Sequence, residues 1–307
     1  MARALYRTLA RAAAAAAAVA AVAASACDNR PNIDPGRAAA VFTAVDVATL
    51  PGLSGLAVDH NGALWTVAER GARAYRVLLD DALRPSLETF VIQGLPPDTD
   101  VEGLAILGVD RFALGTEGHE DGVATVLLAE RRGAALVVTR TIALPEAQVG
   151  IKLVKNHGAE GLCGAGETIL AGIEDVGETG GRRWAPIVRI EGGAIVRTHR
   201  LWLTTRTGKI SGLDCVLAPD GGVTAWAVER HFEETHLLRF TLPPPGAGAD
   251  ELTPTVLLDL GPILNGRLNL EGIARLPDGR TVTVVDNQWK RITGPSQLLV
   301  FRPGVIP

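Results

Sequence analysis

Hydrophobic and polar residues alternate along most of this chain with a period of two, the mark of half-buried strands rather than helices. The alternation is punctuated by a five-residue phrase that recurs five times. The copies are Leu53-Ser54-Gly55-Leu56-Ala57, Val101-Glu102-Gly103-Leu104-Ala105, Ala159-Glu160-Gly161-Leu162-Cys163, Ile210-Ser211-Gly212-Leu213-Asp214 and Leu270-Glu271-Gly272-Ile273-Ala274. Successive second residues lie 48, 58, 51 and 60 positions apart. Units of this length built from strands predict a β-propeller.

The pattern divides residues 40–303 into five units of four strands each. The first covers 55–58, 64–68, 74–79 and 87–92; the second 103–107, 112–116, 125–130 and 135–143. The third covers 161–164, 168–173, 186–190 and 195–202; the fourth 212–217, 223–228, 236–242 and 255–259. The last has only three strands, at 272–276, 281–285 and 297–301. Residues 41–47 (Val-Phe-Thr-Ala-Val-Asp-Val) alternate and belong to no other unit, so they are predicted to pair beside 297–301 and close the ring. The expected fold is therefore all-β, a five-bladed propeller closed by an N-terminal strand.

Turn chemistry orients the blades. Asp59-His60-Asn61-Gly62, Ala218-Pro219-Asp220-Gly221-Gly222 and Pro277-Asp278-Gly279 are tight hairpin signals between first and second strands, on the face taken as the bottom. Longer, charge-rich connections fall on the opposite, top face, where function is expected. Residues 243–250 fall at the bottom and read as a plain surface loop.

The first 26 residues stand outside this pattern. Arg3, Arg7 and Arg11 precede an alanine-rich apolar run ending in Ala24-Ser25-Ala26, which reads as a secretory signal. Cys27 follows the cleavage point and resembles the lipidated Cys of a bacterial lipobox, although Ala24 stands where Leu is usual. Residues 27–39 then form a tether and 40–307 the single domain. The expectation is export to a bacterial envelope as a lipoprotein, with plain secretion to the periplasm or medium as the alternative. A membrane is met only through that anchor, and a monomer is expected.

Charge narrows the partners. Without the leader's three Arg the chain has 27 basic against 34 acidic residues, about −7 formally. That argues against a nucleic-acid binder, which needs a basic face; a small anionic ligand is the expected partner because basic residues and His share the top face with the acids. Cys163 and Cys215 sit at phrase offsets differing by one. Neighbouring strand residues face opposite ways, so two free buried thiols are expected rather than a disulfide or metal pair.

The second strand of every unit ends in an acid: Glu69, Glu117, Glu174, Glu229 and Asp286. These are the candidate catalytic residues, predicted to ring the top mouth of the channel. Glu102, Glu160 and Glu271, in the phrase itself, and Asp175 are candidate metal ligands; for the three Glu, blade-to-blade hydrogen bonding is an equal alternative. Asp100 and Asp214 add to the acidity. Hard oxygen ligands without Cys point to Ca²⁺. Arg70, Lys155, Arg230, His119 and His231 are candidate substrate-binding residues, with Lys209 and Lys290 in the same top segments. His119, His157 and His231 are potential proton carriers. No nucleophile elbow, zinc helix or phosphate loop occurs, and Ser54 and Ser211 lack a base in sequence.

The order of motifs resembles the phytase-like family, also described as esterase-like activity of phytase. The carriers are Ile210-Ser211-Gly212-Leu213-Asp214, Trp226-Ala227-Val228-Glu229-Arg230, Asn269-Leu270-Glu271-Gly272-Ile273-Ala274, Val284-Val285-Asp286-Asn287 and Pro295-Ser296-Gln297-Leu298-Leu299-Val300-Phe301. The likeness spans about residues 50–301. It implies a phosphoesterase or esterase. No Arg-His phosphatase signature is present, so such an enzyme would be metal-assisted. A non-catalytic ligand- or protein-binding propeller and a lactonase-like metal hydrolase are the competing readings.

Overall fold

A computed structural model describes residues 35–117, 122–231, 234–264, 268–287 and 294–307. The signal segment, Cys27, His119 and Lys290 lie outside the described residues. After a short helix at Pro35–Val41, the regular structure among the described residues is strand apart from two helical turns, at Glu146–Val149 and Gly261–Leu264. Strand β1 (Phe42–Val47) is followed by β2 (Leu53–Val58), β3 (Leu64–Ala68), β4 (Arg73–Leu79) and β5 (Pro85–Gln93), an antiparallel meander. A second meander comprises β6 (Val101–Ile106), β7 (Arg111–Thr116), β8 (Val123–Arg132) and β9 (Ala135–Pro145). The next contains β10 (Ala159–Ala165), β11 (Thr168–Ile173), β12 (Gly177–Thr179), β13 (Arg182–Glu191) and β14 (Ala194–Trp202); β12 is a spur paired with β13. Then come β15 (Lys209–Leu217), β16 (Val223–His231), β17 (Glu234–Leu242), β18 (Glu251–Leu252) and β19 (Thr255–Asp259). The last strands are β20 (Asn269–Arg275), β21 (Thr281–Asp286) and β22 (Ser296–Phe301).

The alternating segment at the start pairs where its pattern requires. β1 runs antiparallel to β22, from Phe42 opposite Phe301 to Val47 opposite Ser296. The Phe42 and Phe301 rings meet edge-on at 5.5 Å. A strand from one end of the chain thus completes the sheet formed by the other end, and the fold is an all-β propeller.

Buried apolar side chains form five clusters among the described residues, each between two successive meanders. One of them packs Leu56 and Tyr75 against Val45, Ala274, Val284 and Leu298, joining the last meander to the first. In another, Trp65 stacks between Phe90 and Phe112 at 4.7 and 4.9 Å.

The repeated phrase is a β-bulge. Pairing slips between Ser54 and Leu56, Val101 and Gly103, Ala159 and Gly161, Ile210 and Gly212, and Leu270 and Gly272. A bulge leaves one residue unpaired and re-aims its side chain. The phrase glycine is needed because repeats touch there. A Cβ on Gly55 would lie 2.7 Å from Leu104 N, and one on Gly272 would lie 2.7 Å from Leu56 N.

Three expectations are corrected. Cys163 and Cys215 form a disulfide, with Cα atoms 5.7 Å apart. The fifth phrase residue faces the following meander and the fourth faces the preceding one, as the seam of Cys163, Leu213 and Cys215 shows. An offset of one therefore brings two residues together across a seam, whereas within one sheet it would part them. Asp214 likewise turns into a seam, where it meets Arg275, instead of adding to the mouth. Residues 243–250 are no plain loop. Arg189 Nη1 holds Pro243 O, His199 Nδ1 holds Ala249 O, and Arg197 holds Ala247 O, Gly248 O and the Asp250 carboxylate. The segment leads into β18, which adds in parallel to β14.

Candidate functional site: an acidic axial chamber

Because the first strands run side by side around the axis, their bulges converge at the top. There, a chamber of about 250 Å³ is lined by Glu69, Arg70, Glu102, Glu117, Glu160, Glu174, Lys209, Arg230, Asn269, Glu271 and Asp286. Seven carboxyl groups face three cations.

The acids come from two places in each unit. Glu102, Glu160 and Glu271 are the extra residues of their bulges. Glu69, Glu117 and Glu174 directly follow β3, β7 and β11, and Asp286 ends β21. Ser54 and Ser211 occupy the second phrase position in the other units. Their hydroxyls donate to Glu102 O and Leu270 O at 2.6 Å, so they tie one repeat to the next and are not nucleophiles.

Glu229 does not join the chamber. It pairs with Ile210, the first phrase residue, just as Ala68 pairs with Leu53, Thr116 with Val101 and Val285 with Leu270. In register, the residue matching Glu69, Glu117 and Asp286 is Arg230. A slip of one residue turns a side chain to the other face. Glu229 is fully buried and accepts hydrogen bonds from Thr204 N and Oγ1 and from Thr205 N and Oγ1, at 2.5–3.0 Å. It holds a loop; Arg230 faces the chamber.

One side of the chamber is an ion-pair network. Lys209 Nζ bridges Glu160 Oε1, at 2.8 Å, and Glu174 Oε1. Arg230 Nη2 pairs with Glu271 Oε1 while its Nε donates to Leu270 O at 3.3 Å. Asn269 Nδ2 donates at 2.7 Å to both Glu271 Oε1 and Asp286 Oδ2. Even so, Glu160 Oε2 and Glu271 Oε2 are buried without a hydrogen-bond partner among the described residues. The other side holds Glu69, Glu102 and Glu117 with Arg70, which reaches Asp100 at 3.3 Å and Glu69 at 3.7 Å. Lys209 was visible in the sequence only as one top-face charge among several. Asn269 was missed as a site residue; its signal is its place two residues before Glu271.

Proton affinities follow from burial and crowding. Burial, then Glu271 and Glu160, pushes Glu102 well above the usual carboxyl range. Burial, then Asp100 and Glu174, raises Glu117 to about 7. Burial and Glu160 raise Glu174 to about 7 against the pull of Lys209. Glu271 reaches about 8, burial outweighing Arg230. Burial also opposes ionisation of Glu160, but Lys209 and Arg230 win and hold it below the usual range. Acids with opposed affinities thus lie side by side, as proton-transfer sites require.

The remaining sequence candidates fall outside this lining. Asp175 is engaged elsewhere: Oδ1 meets His157 Nδ1 at 2.7 Å and Oδ2 accepts from Val154 N at 2.9 Å. Its carboxylate is committed to those two groups. Lys155 is exposed in the neighbouring turn. His231 lies beside the chamber cations; burial, then Arg230 and Lys209, lowers its affinity for a proton. The chamber's donors are hard oxygens, as Ca²⁺ prefers. Among the described residues, however, no three Asp, Glu, His or Cys converge on a point where a metal ion would sit. The chamber as it stands does not fit a preformed metal site.

Among solved structures, the chain is similar to the PQQ-bound aldose sugar dehydrogenase of Streptomyces coelicolor, at 16% identity over 86% of this chain and 98% of that one, TM-score 0.46. It is also similar to MPT-4, a mannose phosphorylase of Leishmania mexicana, at 10% identity over 86% and 89%, TM-score 0.46. A putative gluconolactonase matches at 14% identity over 85% and 92%, TM-score 0.39. No curated protein matches the sequence. The family model described as phytase-like, esterase-like activity of phytase, matches residues 48–288, the stretch that carries all five phrases, and the chain belongs to that family.

Proposed function

We propose that this protein is an ester hydrolase of the phytase-like family, acting on phosphoric or carboxylic esters in the axial chamber of a five-bladed ring. The observation that carries this reading is the convergence of seven carboxyl groups and three cations on one chamber. Glu160, kept ionised by Lys209, is the base side of the pair. Glu174 and Glu117, with affinities of about 7, are the proton donors. Lys209 and Arg230 face charge that develops on the substrate, and Arg70 meets it at the rim. Ca²⁺ would enter only with an anionic ester, as its counter-charge, and would then supply Lewis-acid polarisation. Without a preformed ligand set, no step is assigned to it.

A second reading, a binding propeller without chemistry, is favoured by the engagement of Lys209 and Arg230 with chamber acids. Ca²⁺ with and without EGTA, in melting assays and against phosphate esters, carboxylic esters and lactones, separates the two. Hydrolysis requires turnover that falls at least 10²-fold in Glu117→Gln. A calcium-dependent rise in melting temperature without turnover supports the binding reading. Absence of both responses removes the calcium proposal and the hydrolase together. Turnover on lactones alone would mark a lactonase-like enzyme. We further propose export, with Cys27 lipidated; the Cys163–Cys215 disulfide suits an oxidising compartment. The mass of the mature native chain tests the lipid.

A further inference from the structure

We propose that His157, positioned by Asp175, is the proton relay between the axial chamber and solvent, with Glu174 as the inner carrier. The inference deepens the hydrolase reading and rests on it only for its catalytic consequence. Asp175 uses both oxygens: Oδ1 meets His157 Nδ1 at 2.7 Å, and Oδ2 accepts from Val154 N at 2.9 Å. The carboxylate is therefore held from the loop's own backbone and fixes Nδ1–H, which leaves the lone pair on Nε2. The Asp175 side chain is 10% exposed and that of His157 39%, so the anchor is buried and the imidazole reaches solvent.

Backbone pairing brings the loop that carries His157 to the chamber wall. Gly158 bridges to Glu117, and Gly158 O accepts from Glu174 N at 3.0 Å. A Cβ on Gly158 would lie 2.0 Å from Thr116 O, so only glycine allows this approach. His157 thus adjoins a residue clamped between the backbones of two chamber acids. The preceding Asn156 adopts φ 63°, a left-handed conformation that turns the chain at this point.

The charged groups that act on the imidazole are Asp175, Glu174 and Lys209. Burial disfavours the imidazolium, yet Asp175 and Glu174 outweigh it and raise the proton affinity. The exchange is balanced. The Glu174 carboxyl releases its proton, directly or through one water, to Nε2; a carboxylate and an imidazolium result. The Nδ1 proton stays on its hydrogen bond to Asp175. Nε2 then releases its proton to solvent. The ring is partly exposed, and Glu174 lines the chamber, paired with Lys209.

Imidazole NMR titration of the full chain tests this, with His157 assigned by loss of its signal in His157→Gln. In the parent, the His157 titration should carry the ionisation of Glu174 as a second step, because the two charges interact. Glu174→Gln should remove that step and move the midpoint to lower pH. Asp175→Asn should lower it further and disturb the Nδ1–H tautomer. A loop clamp alone responds to Asp175→Asn but not to Glu174→Gln; an unchanged His157 titration in folded Glu174→Gln overturns the relay. If the parent hydrolyses an ester, His157→Gln should cut kcat about 10²-fold or more with KM little changed and a parental melting temperature. Coupling without turnover leaves the relay standing and the hydrolase reading refuted. Turnover without coupling does the reverse.

Discussion

Arg230 and Glu229 show how much hangs on a single residue. Both are polar, both lie near the end of a second strand, and one lies in the chamber while the other is fully buried under a loop. The sequence contains both, but not the bulge register that separates them. Glu117 shows the electrostatic side of the same scale. Its affinity of about 7 lies above the 4.5 of an ordinary Glu. Below that ordinary value it is protonated folded or unfolded and costs nothing. As pH rises toward 7 the unfolded chain loses the proton first, so stability falls; above 7 the cost is complete. Glu117→Gln should thus raise stability by about 1 kcal/mol at pH 8, reduced from the full shift because the group is half-buried. At about pH 3, below the ordinary value, the gain should vanish. Urea unfolding at the two pH values measures it, and an equal gain at both would refute the account.

At the scale of elements, the bulged first strand is the unit that builds both seam and site. One phrase residue is unpaired at the top, its glycine admits the next repeat, and its fourth and fifth residues pack into neighbouring seams. The disulfide lies three residues below Glu160 on β10 and six below Lys209 on β15, so it ties the two strands whose ends meet in a salt bridge. Closing the 52-residue separation is worth about 4 kcal/mol on the chain-entropy model. The Cys163→Ala/Cys215→Ala double variant should lose a large part of that in denaturant unfolding. Dithiothreitol should destabilise the parent and leave the variant unchanged. Equal stability of parent and variant would show that the seam is held by packing alone.

For the whole molecule, stability is a property of the ring. Its apolar residues are spread over seams, one of which exists only because β1 joins β22. Removing residues 35–48 from the chain exposes an edge strand and the Phe301 ring that Phe42 covers. Compared with a chain beginning at residue 35, this truncation should lose its cooperative thermal transition. A transition at the parental temperature would mean that closure contributes nothing.

The sequence by itself determined the strand period, the repeat, the end-to-end closure and the family, because each depends on local alternation or on motif order. It also determined that acids gather at the top, since hairpin turns fix which strand ends lie together. It did not determine which of two adjacent polar residues faces the axis, because a bulge inserted in each repeat shifts that parity. Nor did it determine the disulfide: whether an offset of one separates or joins two side chains depends on whether they share a sheet or face each other across a seam. The pairing of His157 with Asp175 was hidden for a related reason. Their contact crosses 18 residues of chain, and only the Gly158 bridge between neighbouring meanders brings that loop to the chamber wall. Strands are decided by neighbours in sequence; the site is decided by how bulged strands from separate repeats meet around an axis.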